Sequence, residues 1–269
     1  MVMMRHHIIL TTLPLLTLAA LPPRKLAPIL PVTYEPIPNQ YIVKLKRSSS
    51  IRSRDNVISL LQDESIQEWS LAMNGFAAIM SGEILDTIRT HTDIEYIEPD
   101  GHACATYLMN PDGSGPFLSN STSHTVTQSG ATWGISRVSS KRPGAKDYKY
   151  QSSAGGGTCV YIIDTGMDLK HAEFEGRAVL GKKIAPGRDG DRLGHGTHTG
   201  GTVGGKLYGI AKKAKLIDVK AIPDDGVGPW SHIISAFDYV ISDNRECPKG
   251  KIINASLGAA GGVKAPMMP

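Results

Sequence analysis

The sequence is poor in cysteine, in dense runs of one charge and in long apolar segments. Its three cysteines are Cys104, Cys159 and Cys247, and no two of them form a C-x-x-C pair. A cysteine zinc site is therefore not expected. Spacing alone leaves all three disulfide pairings open, with one cysteine left over.

Charge gives little support for a polyanionic partner. The chain has 29 lysine and arginine residues against 25 acidic ones, a net charge of +4, and the basic residues are scattered. The densest basic run, AKKAKLIDVK, leads into an apolar, strand-like segment. We therefore expect no nucleic-acid partner.

The apolar run at the N-terminus is too short to cross a bilayer. Residues 8–20, IILTTLPLLTLAA, follow the basic Arg5 and end in the small residues Ala19 and Ala20. This pattern predicts a secretory signal peptide over residues 1–20. We expect a secreted, extracellular protein with no membrane span, and glycosylation at Asn120 within the sequon NST.

Residues 38–102 show the pattern of a small α+β domain. Alternating and helical apolar spacings predict the order β-α-β-β-α-β, which is that of a ferredoxin-like fold. The predicted elements are a strand at Tyr41–Lys46, a helix at Asp55–Gln62, two strands separated near Asn74-Gly75, a helix capped by Ser81, and a short strand ending before Pro99. Residues 103–130 contain PDGSGP and SNSTSHT, which favour a linker or maturation zone.

From residue 131 onward the pattern becomes that of an α/β domain. TCVYIID, KLIDVKAI and KIINASLG are continuous apolar runs, as strands buried on both faces require. Between the last two, Ser231 is predicted to cap an amphipathic helix. Alternating strands and helices predict a parallel sheet whose active residues gather at the carboxyl ends of the strands. Asp164 lies at one such end.

The segment GHGTHTGGTVGGK, residues 194–206, has two interpretations that fit poorly. As a phosphate-binding loop it fails at Leu207, where a hydroxyl residue should bind magnesium. As a metal site it offers His195 and His198 at helical spacing, but no glutamate completes an H-E-x-x-H pattern. We expect His198 to be a packed core histidine.

A catalytic interpretation fits the same segment better. An aspartate bonded to one ring nitrogen of a histidine fixes its tautomer and stabilises the imidazolium that forms. Asp164 is the candidate carboxylate, and His195 is the candidate base. The glycines around His195 would let the backbone approach a peptide substrate.

Five segments together resemble the subtilisin-like serine proteases, and within them the fungal secreted proteinase K group. They are VYIIDTGMD, HAEFEGRA, GHGTHTGGTVGG, YGIAKKAKL and INASLG, in the family's order between Trp133 and Gly258. The N-terminal small domain resembles the family's inhibitory propeptide. The resemblance implies an α/β fold, an incomplete subtilisin-like parallel sheet with flanking helices, preceded by the α+β propeptide domain. It implies a division into a signal peptide at 1–20, a propeptide domain at 38–102, a linker at 103–130 and the N-terminal part of a peptidase domain at 131–269.

The resemblance also assigns roles to individual residues. Asp164 would be the orienting acid and His195 the general base. The remaining implied residues are an edge strand at Gly226 and Gly228, an outer subsite at Trp230, a substrate-pairing strand at Ser256, Leu257 and Gly258, and a disulfide between Cys159 and Cys247. A polypeptide substrate would bind as an added strand between the two edges.

The resemblance implies no metal site and no cofactor among these residues, although calcium could occur in a full-length relative. The expected partners are polypeptide substrates and the chain's own propeptide, acting as an intramolecular inhibitor on a monomer. Thr199 stands where the group usually has a free cysteine.

One part of the family pattern is missing from the sequence. Nothing resembles the GTSMA-type motif that carries the nucleophilic serine, and Ala259 stands where a second glycine is expected. Ser256 does not replace the nucleophile, because it occupies the substrate-strand position, and Asn254 does not replace the oxyanion asparagine. We therefore expect a C-terminally truncated chain that is inactive on peptides. The alternatives are a propeptide-type protease inhibitor and a product without function.

Overall fold

The computed structural model describes residues 26–61, 66–105 and 124–258. The predicted signal peptide at 1–20, the predicted glycosylation at Asn120 and the residues after Gly258 lie outside these ranges. Among the described residues, no helix has both the length and the apolar character needed to cross a bilayer.

The first part of the chain has the predicted β-α-β-β-α-β order. Its elements are β1 (Pro36–Leu45), α1 (Ile51–Ile58), β2 (Gln67–Trp69), β3 (Gly75–Ile79), α2 (Gly82–Arg89) and β4 (Ile94–Ala105). The strands form an antiparallel sheet in the order β4-β1-β3-β2. The helices bury Val57, Leu85 and Ile88 against Val43 and Phe76 of the sheet, so this part has a core of its own.

Serine caps set the starts of both helices. The first helix begins at Ile51 rather than at Asp55, because the Ser50 hydroxyl accepts the backbone N–H of Ser53 and caps it there. The cap predicted at Ser81 is present, and its hydroxyl accepts an N–H of the first turn of α2.

The second part alternates strands with helices. Its elements are β5 (Thr125–Gln128), α3 (Trp133–Ser139), β6 (Tyr148–Gln151), β7 (Cys159–Asp164), a 3₁₀ turn (Ala172–Phe174), β8 (Ala178–Lys183), α4 (His195–Gly204), β9 (Lys215–Lys220), β10 (Val227–Pro229), α5 (Trp230–Ser242), β11 (Lys251–Asn254) and β12 (Leu257–Gly258). Four strands form a parallel sheet in the order β11-β7-β9-β8. Every residue of β7 is buried, because α5 packs on one face of the sheet and α4 with the 3₁₀ turn on the other. The predicted subtilisin-like α/β architecture is confirmed.

The last strand of the first part is longer than predicted. β4 does not end before Pro99 but continues to Ala105. Pro99 has no N–H to donate, and the register against β1 shifts just beyond it. The strand continues because its end pairs with β10 and β12 of the second part. Within the predicted linker at 103–130, residues 103–105 and Thr125–Gln128 form strands.

The start of α5 also differs from the prediction. The helix begins at Trp230, so Ser231 is a buried first-turn residue and not the cap. The side chain and the backbone N–H of Ser231 bond instead to the carboxylate of Asp100 in β4. A carboxylate from the first part thus accepts hydrogen bonds at the N-terminus of a helix in the second part, where its charge is favourable. Burial raises the pKa of Asp100, while hydrogen bonds from Ser231, Gln40 and Gly101 oppose that rise.

The same helix holds the β2–β3 connection of the first part. One carboxylate oxygen of Asp238 accepts the backbone N–H groups of Leu71 and Ala72 at 2.7 and 2.8 Å. The Trp69 indole N–H donates to the Ser235 hydroxyl at 2.7 Å. The two parts are therefore joined along α5 as well as through β4.

The run KIINASLG is two strands rather than one. β11 pairs with β7 in the parallel sheet, whereas β12 pairs with β4. The chain turns away from the parallel sheet between them, at Ala255 and Ser256. This turn carries Leu257 and Gly258 to a different edge.

A disulfide joins Cys159 and Cys247, the pair that the family resemblance implied, and Cys104 is free. It ties the start of β7 to the segment between α5 and β11.

Replacing both Cys159 and Cys247 by alanine should lower the free energy of unfolding by about 4–5 kcal/mol. The bridge spans a sequence separation of 88, and closing so long a loop restricts the unfolded chain. Denaturant unfolding followed by circular dichroism measures the change. Cys104→Ala is the matched control and should leave the stability of the bridged protein nearly unchanged; equal losses in both proteins would contradict the assignment.

Candidate active site

Asp164 and His195 meet where a strand ends and a helix begins. Asp164 is the last residue of β7 and His195 the first residue of α4. The His195 Nδ1 atom lies 2.7 Å from Asp164 Oδ1, and both side chains are almost fully buried. The two residues predicted to act together are therefore in direct hydrogen-bond contact.

The Asp164 carboxylate has further partners that fix its orientation. Its Oδ1 also accepts the backbone N–H of Thr165 at 2.7 Å, and its Oδ2 lies 3.2 Å from the Thr199 hydroxyl. A hydroxyl at this place holds the second oxygen of the acid.

The glycines of α4 let the helix approach the end of β7 closely. A Cβ on Gly196 would lie 2.1 Å from the carbonyl oxygen of Gly166, and one on Gly200 would lie 2.6 Å from the Met167 side chain. Gly194, the residue before the helix, has a φ of +89°, which favours glycine. Side chains at positions 196 and 200 would push His195 away from the strand.

The metal interpretation of the two histidines finds no support in the described ranges. No group of three or more histidine, cysteine or acidic side chains there could hold a metal ion. The expectation that His198 is a packed core residue is wrong, because its side chain is exposed. The face of α4 that packs inward carries His195, Gly196 and Gly200, and His198 lies off that face.

The end of β4, residues Ala103–Ala105, lies between two edge strands and is here called the tail. On one side, Ala103 and Cys104 pair with Gly228 and Val227 of β10. The Ala105 N–H donates to the carbonyl oxygen of Gly226 at 3.1 Å. The first predicted edge therefore binds an extended backbone.

On the other side of the tail lies β12. Leu257 pairs with Ala105, and Gly258 pairs with Cys104. Ser256 precedes the paired residues, and its hydroxyl accepts the Asn254 side-chain N–H at 3.1 Å. The predicted substrate-binding residues thus form two edges with one strand inserted between them.

Trp230 lies beside the tail. It packs against the core that contains the fully buried Ala103 and also against the cluster formed by Trp69 and Met73 of the first part. Ile233 and Leu257 belong to the same core as Ala103. Trp230 therefore packs in a core that is shared by the tail and by residues of both parts of the chain.

Sequence reasoning missed Asp191, which accepts several hydrogen bonds beside the Asp164–His195 pair. It accepts the Thr197 N–H at 2.8 Å and the Thr165 hydroxyl at 2.9 Å. Burial alone would raise its pKa, but hydrogen bonds from Thr197, Gly194 and Thr165 lower it overall. An acid just before a helix start is a capping signal that could have revealed it.

The sequence analysis also did not identify Lys220, which contacts the residues next to Asp164 and Asp191. It is almost fully buried, and its ammonium donates to the carbonyl oxygens of Thr165 at 2.5 Å and Gly190 at 3.1 Å. It also forms an ion pair with Asp224 at 2.9 Å. A lysine at the end of an apolar run was the available signal.

Asp218 is a buried acid in the middle of β9, 1% exposed. The backbone N–H of Met167 bonds to its carboxylate, and its Oδ1 has no hydrogen-bond partner within the described part of the chain. Burial raises the pKa of Asp218 to about 7, against the lowering effect of that backbone bond and of Lys220. An aspartate inside the apolar run KLIDVKAI was the only sequence signal for it.

Two family models match the chain. Residues 155–267 match the subtilase family, and residues 40–103 match the peptidase inhibitor I9 family. The inhibitor match ends within β4, at the start of the tail.

Curated relatives give the same indication. Proteinase R of Parengyodontium album is 40% identical over 235 residues, covering 86% of this chain and 55% of the relative. The cuticle-degrading protease of Metarhizium anisopliae is 42% identical over 224 residues, covering 82% of this chain and 53% of the relative. The chain spans about half the length of these relatives.

A solved structure supports the fold. Fervidolysin from Fervidobacterium pennivorans, described as a keratinolytic enzyme related to subtilisin, superposes with a TM-score of 0.61 at 18% identity, over 89% of this chain and 39% of its own. At that identity the likeness concerns the architecture alone.

The ionisation of Asp218 should make the protein less stable as pH rises, and Asp218→Asn should abolish this pH dependence. The pKa of about 7 in the folded protein lies above the value near 3.9 of an unfolded aspartate. The folded state therefore binds the proton more tightly, and stability falls as pH rises through the folded pKa. Between pH 5 and pH 8 the variant should gain roughly 2–3 kcal/mol relative to the unchanged protein.

Unfolding at several pH values measures this difference. Asp189→Asn is the control, because the Asp189 side chain is 95% exposed and should show no such trend. A constant difference between Asp218→Asn and the unchanged protein from pH 5 to 8 would contradict the assignment.

Ala103→Arg should displace the tail from between its edge strands, because Ala103 is fully buried and a charged side chain cannot be accommodated there without a partner. Hydrogen exchange of the Ala105 amide should become faster, since it donates to Gly226 only while the tail is bound. His102→Arg is the matched control at an exposed neighbouring position. Unchanged Ala105 protection in Ala103→Arg would rule out the arrangement.

Proposed function

Because the chain belongs to the subtilase family, we propose that it supplies the acid and the base of a secreted serine endopeptidase. The observation that carries this proposal is the 2.7 Å contact between Asp164 and His195 beside a cleft that holds an extended strand. A carboxylate bonded to Nδ1 keeps the proton on that nitrogen and leaves Nε2 as the base.

The proposed reaction is hydrolysis of a peptide bond. In a protein that also carries the serine nucleophile, His195 takes the hydroxyl proton as the serine attacks the carbonyl carbon. It then gives the proton to the leaving amine, and Asp164 stabilises the imidazolium in between. Water subsequently hydrolyses the acyl-enzyme.

The proposed substrate is an extended polypeptide of broad sequence. β10 and β12 offer main-chain hydrogen bonds on both sides of the position that the tail occupies. Strand addition of this kind recognises the backbone, while side-chain pockets along the strand add selectivity. Cleavage should therefore depend on only a few side chains of the substrate.

The first part of the chain is proposed to act as the intramolecular inhibitor. Its inhibitor-family match, the tail between the two edges and the bonds from α5 to β2 and β4 support this role. We also propose export of the protein, since secretory features occupy residues 1–20, and a monomeric state.

The 269 residues by themselves are proposed to be inactive on peptides. They contain no GTSMA-type motif, and removal of the nucleophile costs about a millionfold in turnover, a value that comes from subtilisin itself.

A chimera tests the proposed activity. Residues 1–258 are joined to the part of proteinase R that lies C-terminal to its region of similarity to this chain. The folded chimera should process itself and hydrolyse a peptide substrate, whereas the 269-residue chain should not. His195→Ala should lower turnover by about a millionfold, while His198→Ala, at an exposed position of the same helix, should keep most of it. Equal effects of the two substitutions would contradict the assignment.

A second function, inhibition of another protease, has support in the bound tail. The purified 269-residue chain should slow peptide hydrolysis by proteinase R if its tail can enter a second cleft. The Ala103→Arg variant should inhibit less. Inhibition that is equal in both proteins would exclude this mode.

A further inference from the structure

The loop before α4 gathers hydrogen bonds on one carboxylate, that of Asp191. Its Oδ1 accepts the Thr165 hydroxyl at 2.9 Å and the N–H groups of Leu193 and Gly194 at 3.1 and 2.8 Å. Its Oδ2 accepts the N–H and the hydroxyl of Thr197 at 2.8 and 2.7 Å. Both oxygens are therefore engaged with the loop, the helix and the end of β7.

Thr165 connects this carboxylate to both members of the Asp164–His195 pair. Its hydroxyl donates to Asp191 and accepts the backbone N–H of Gly196 at 3.0 Å. Thr165 follows Asp164 in the chain, and Gly196 follows His195. Each residue of the pair is thus one peptide bond away from an atom held through Thr165 and Asp191.

Asp191 replaces a missing helix cap. Gly194, the residue before α4, offers no side chain to the first turn, and the first N–H groups of a helix have no partner within the helix. The Asp191 carboxylate supplies one, and its negative charge is favourable at the helix N-terminus. The lowered pKa of Asp191 keeps that charge at neutral pH.

Lys220 makes a second contact that holds the same loop. The buried Lys220 ammonium donates to the carbonyl oxygens of Thr165 and Gly190. The residue before Asp191 and the residue after Asp164 are therefore held by one cation. Lys220 thus links the loop at Gly190, just before Asp191, to Thr165 at the end of β7.

This arrangement matters for the contact between Asp164 and His195. Gly194 has a left-handed backbone, and glycine restricts the chain least of all residues. Without Asp191, α4 would keep the hydrogen bonds of Gly196 to Thr165 and of Thr199 to Asp164. The loop that leads into its first turn would lose the acceptor of the Leu193, Gly194 and Thr197 N–H groups. A shift of about 1 Å would break the 2.7 Å bond.

We propose that Asp191 is a positioning residue, which holds His195 against Asp164 by fixing the first turn of α4 to the end of β7. The importance of this role for peptide hydrolysis rests on the proposed function. The geometry itself can be tested on the 269-residue chain without any catalysis.

Nuclear magnetic resonance of His195 is the direct readout. In the unchanged chain, the Nδ1 proton bonded to Asp164 should give a low-field resonance. In Asp191→Ala, that resonance should move up-field or broaden beyond detection, and the proton affinity of His195 should fall about tenfold, one pKa unit. Asp189→Asn is the matched control: Asp189 lies in the same loop as Asp191, its exposed carboxylate pairs with Lys183 at the end of β8, and its loss should change neither signal.

A pair of substitutions at Thr165 separates positioning from a general loss of stability. Thr165→Val removes the hydroxyl bridge and should reproduce the effect of Asp191→Ala, while Thr165→Ser keeps the bridge and should retain the resonance. Thermal unfolding of each variant shows whether it is folded. If Asp191→Ala does not fold, the comparison of Thr165→Val with Thr165→Ser decides the question. An unchanged resonance and an unchanged His195 pKa in folded Asp191→Ala, or identical behaviour of Thr165→Val and Thr165→Ser, would overturn the proposal. Failure of the chimera to hydrolyse peptides would leave this result unaffected.

Discussion

The hydrogen bond between Asp164 and His195 requires that the end of β7 and the start of α4 be held at a fixed distance. It joins the end of a buried strand to the start of a helix, 31 positions later in the chain, so neither element can move alone. The parallel sheet fixes Asp164 at its carboxyl edge. Glycines at 196 and 200 allow α4 to come close enough for His195 to reach it. Packing, backbone conformation and hydrogen bonding together fix the distance between Asp164 and His195.

The cleft beside this contact is a shared property of the two parts of the chain. β10 and β12 would expose unpaired backbone groups without a strand between them, and the tail at Ala103–Ala105 supplies that strand. Asp100 serves the start of α5, and Asp238 holds the β2–β3 connection. Binding of the first part therefore rests on hydrogen bonds and on the burial of Ala103 together.

The sequence predicted most of the architecture, because apolar periodicity reports burial directly. The β-α-β-β-α-β order, the parallel sheet and the meeting of Asp164 with His195 all followed from patterns within single segments or from family motifs. The predictions for the end of β4 and for Ser231 failed because of contacts between distant segments. β4 continues past Pro99 because strands from the second part pair with it, and Ser231 is not a cap because a distant acid takes that role. Asp218 gave only one signal, an aspartate inside an apolar run, because its burial follows from the packing of the sheet.

The tautomer of His195 reports directly on the hydrogen bond between Asp164 and His195. Nitrogen-15 chemical shifts of the ring in the 269-residue chain distinguish a proton on Nδ1 from one on Nε2. The account predicts a neutral ring protonated at Nδ1 in the unchanged protein, and a mixture of the two tautomers in folded Asp164→Ala. A ring protonated mainly at Nε2, or a tautomer ratio that does not respond to the loss of the Asp164 carboxylate, would contradict it.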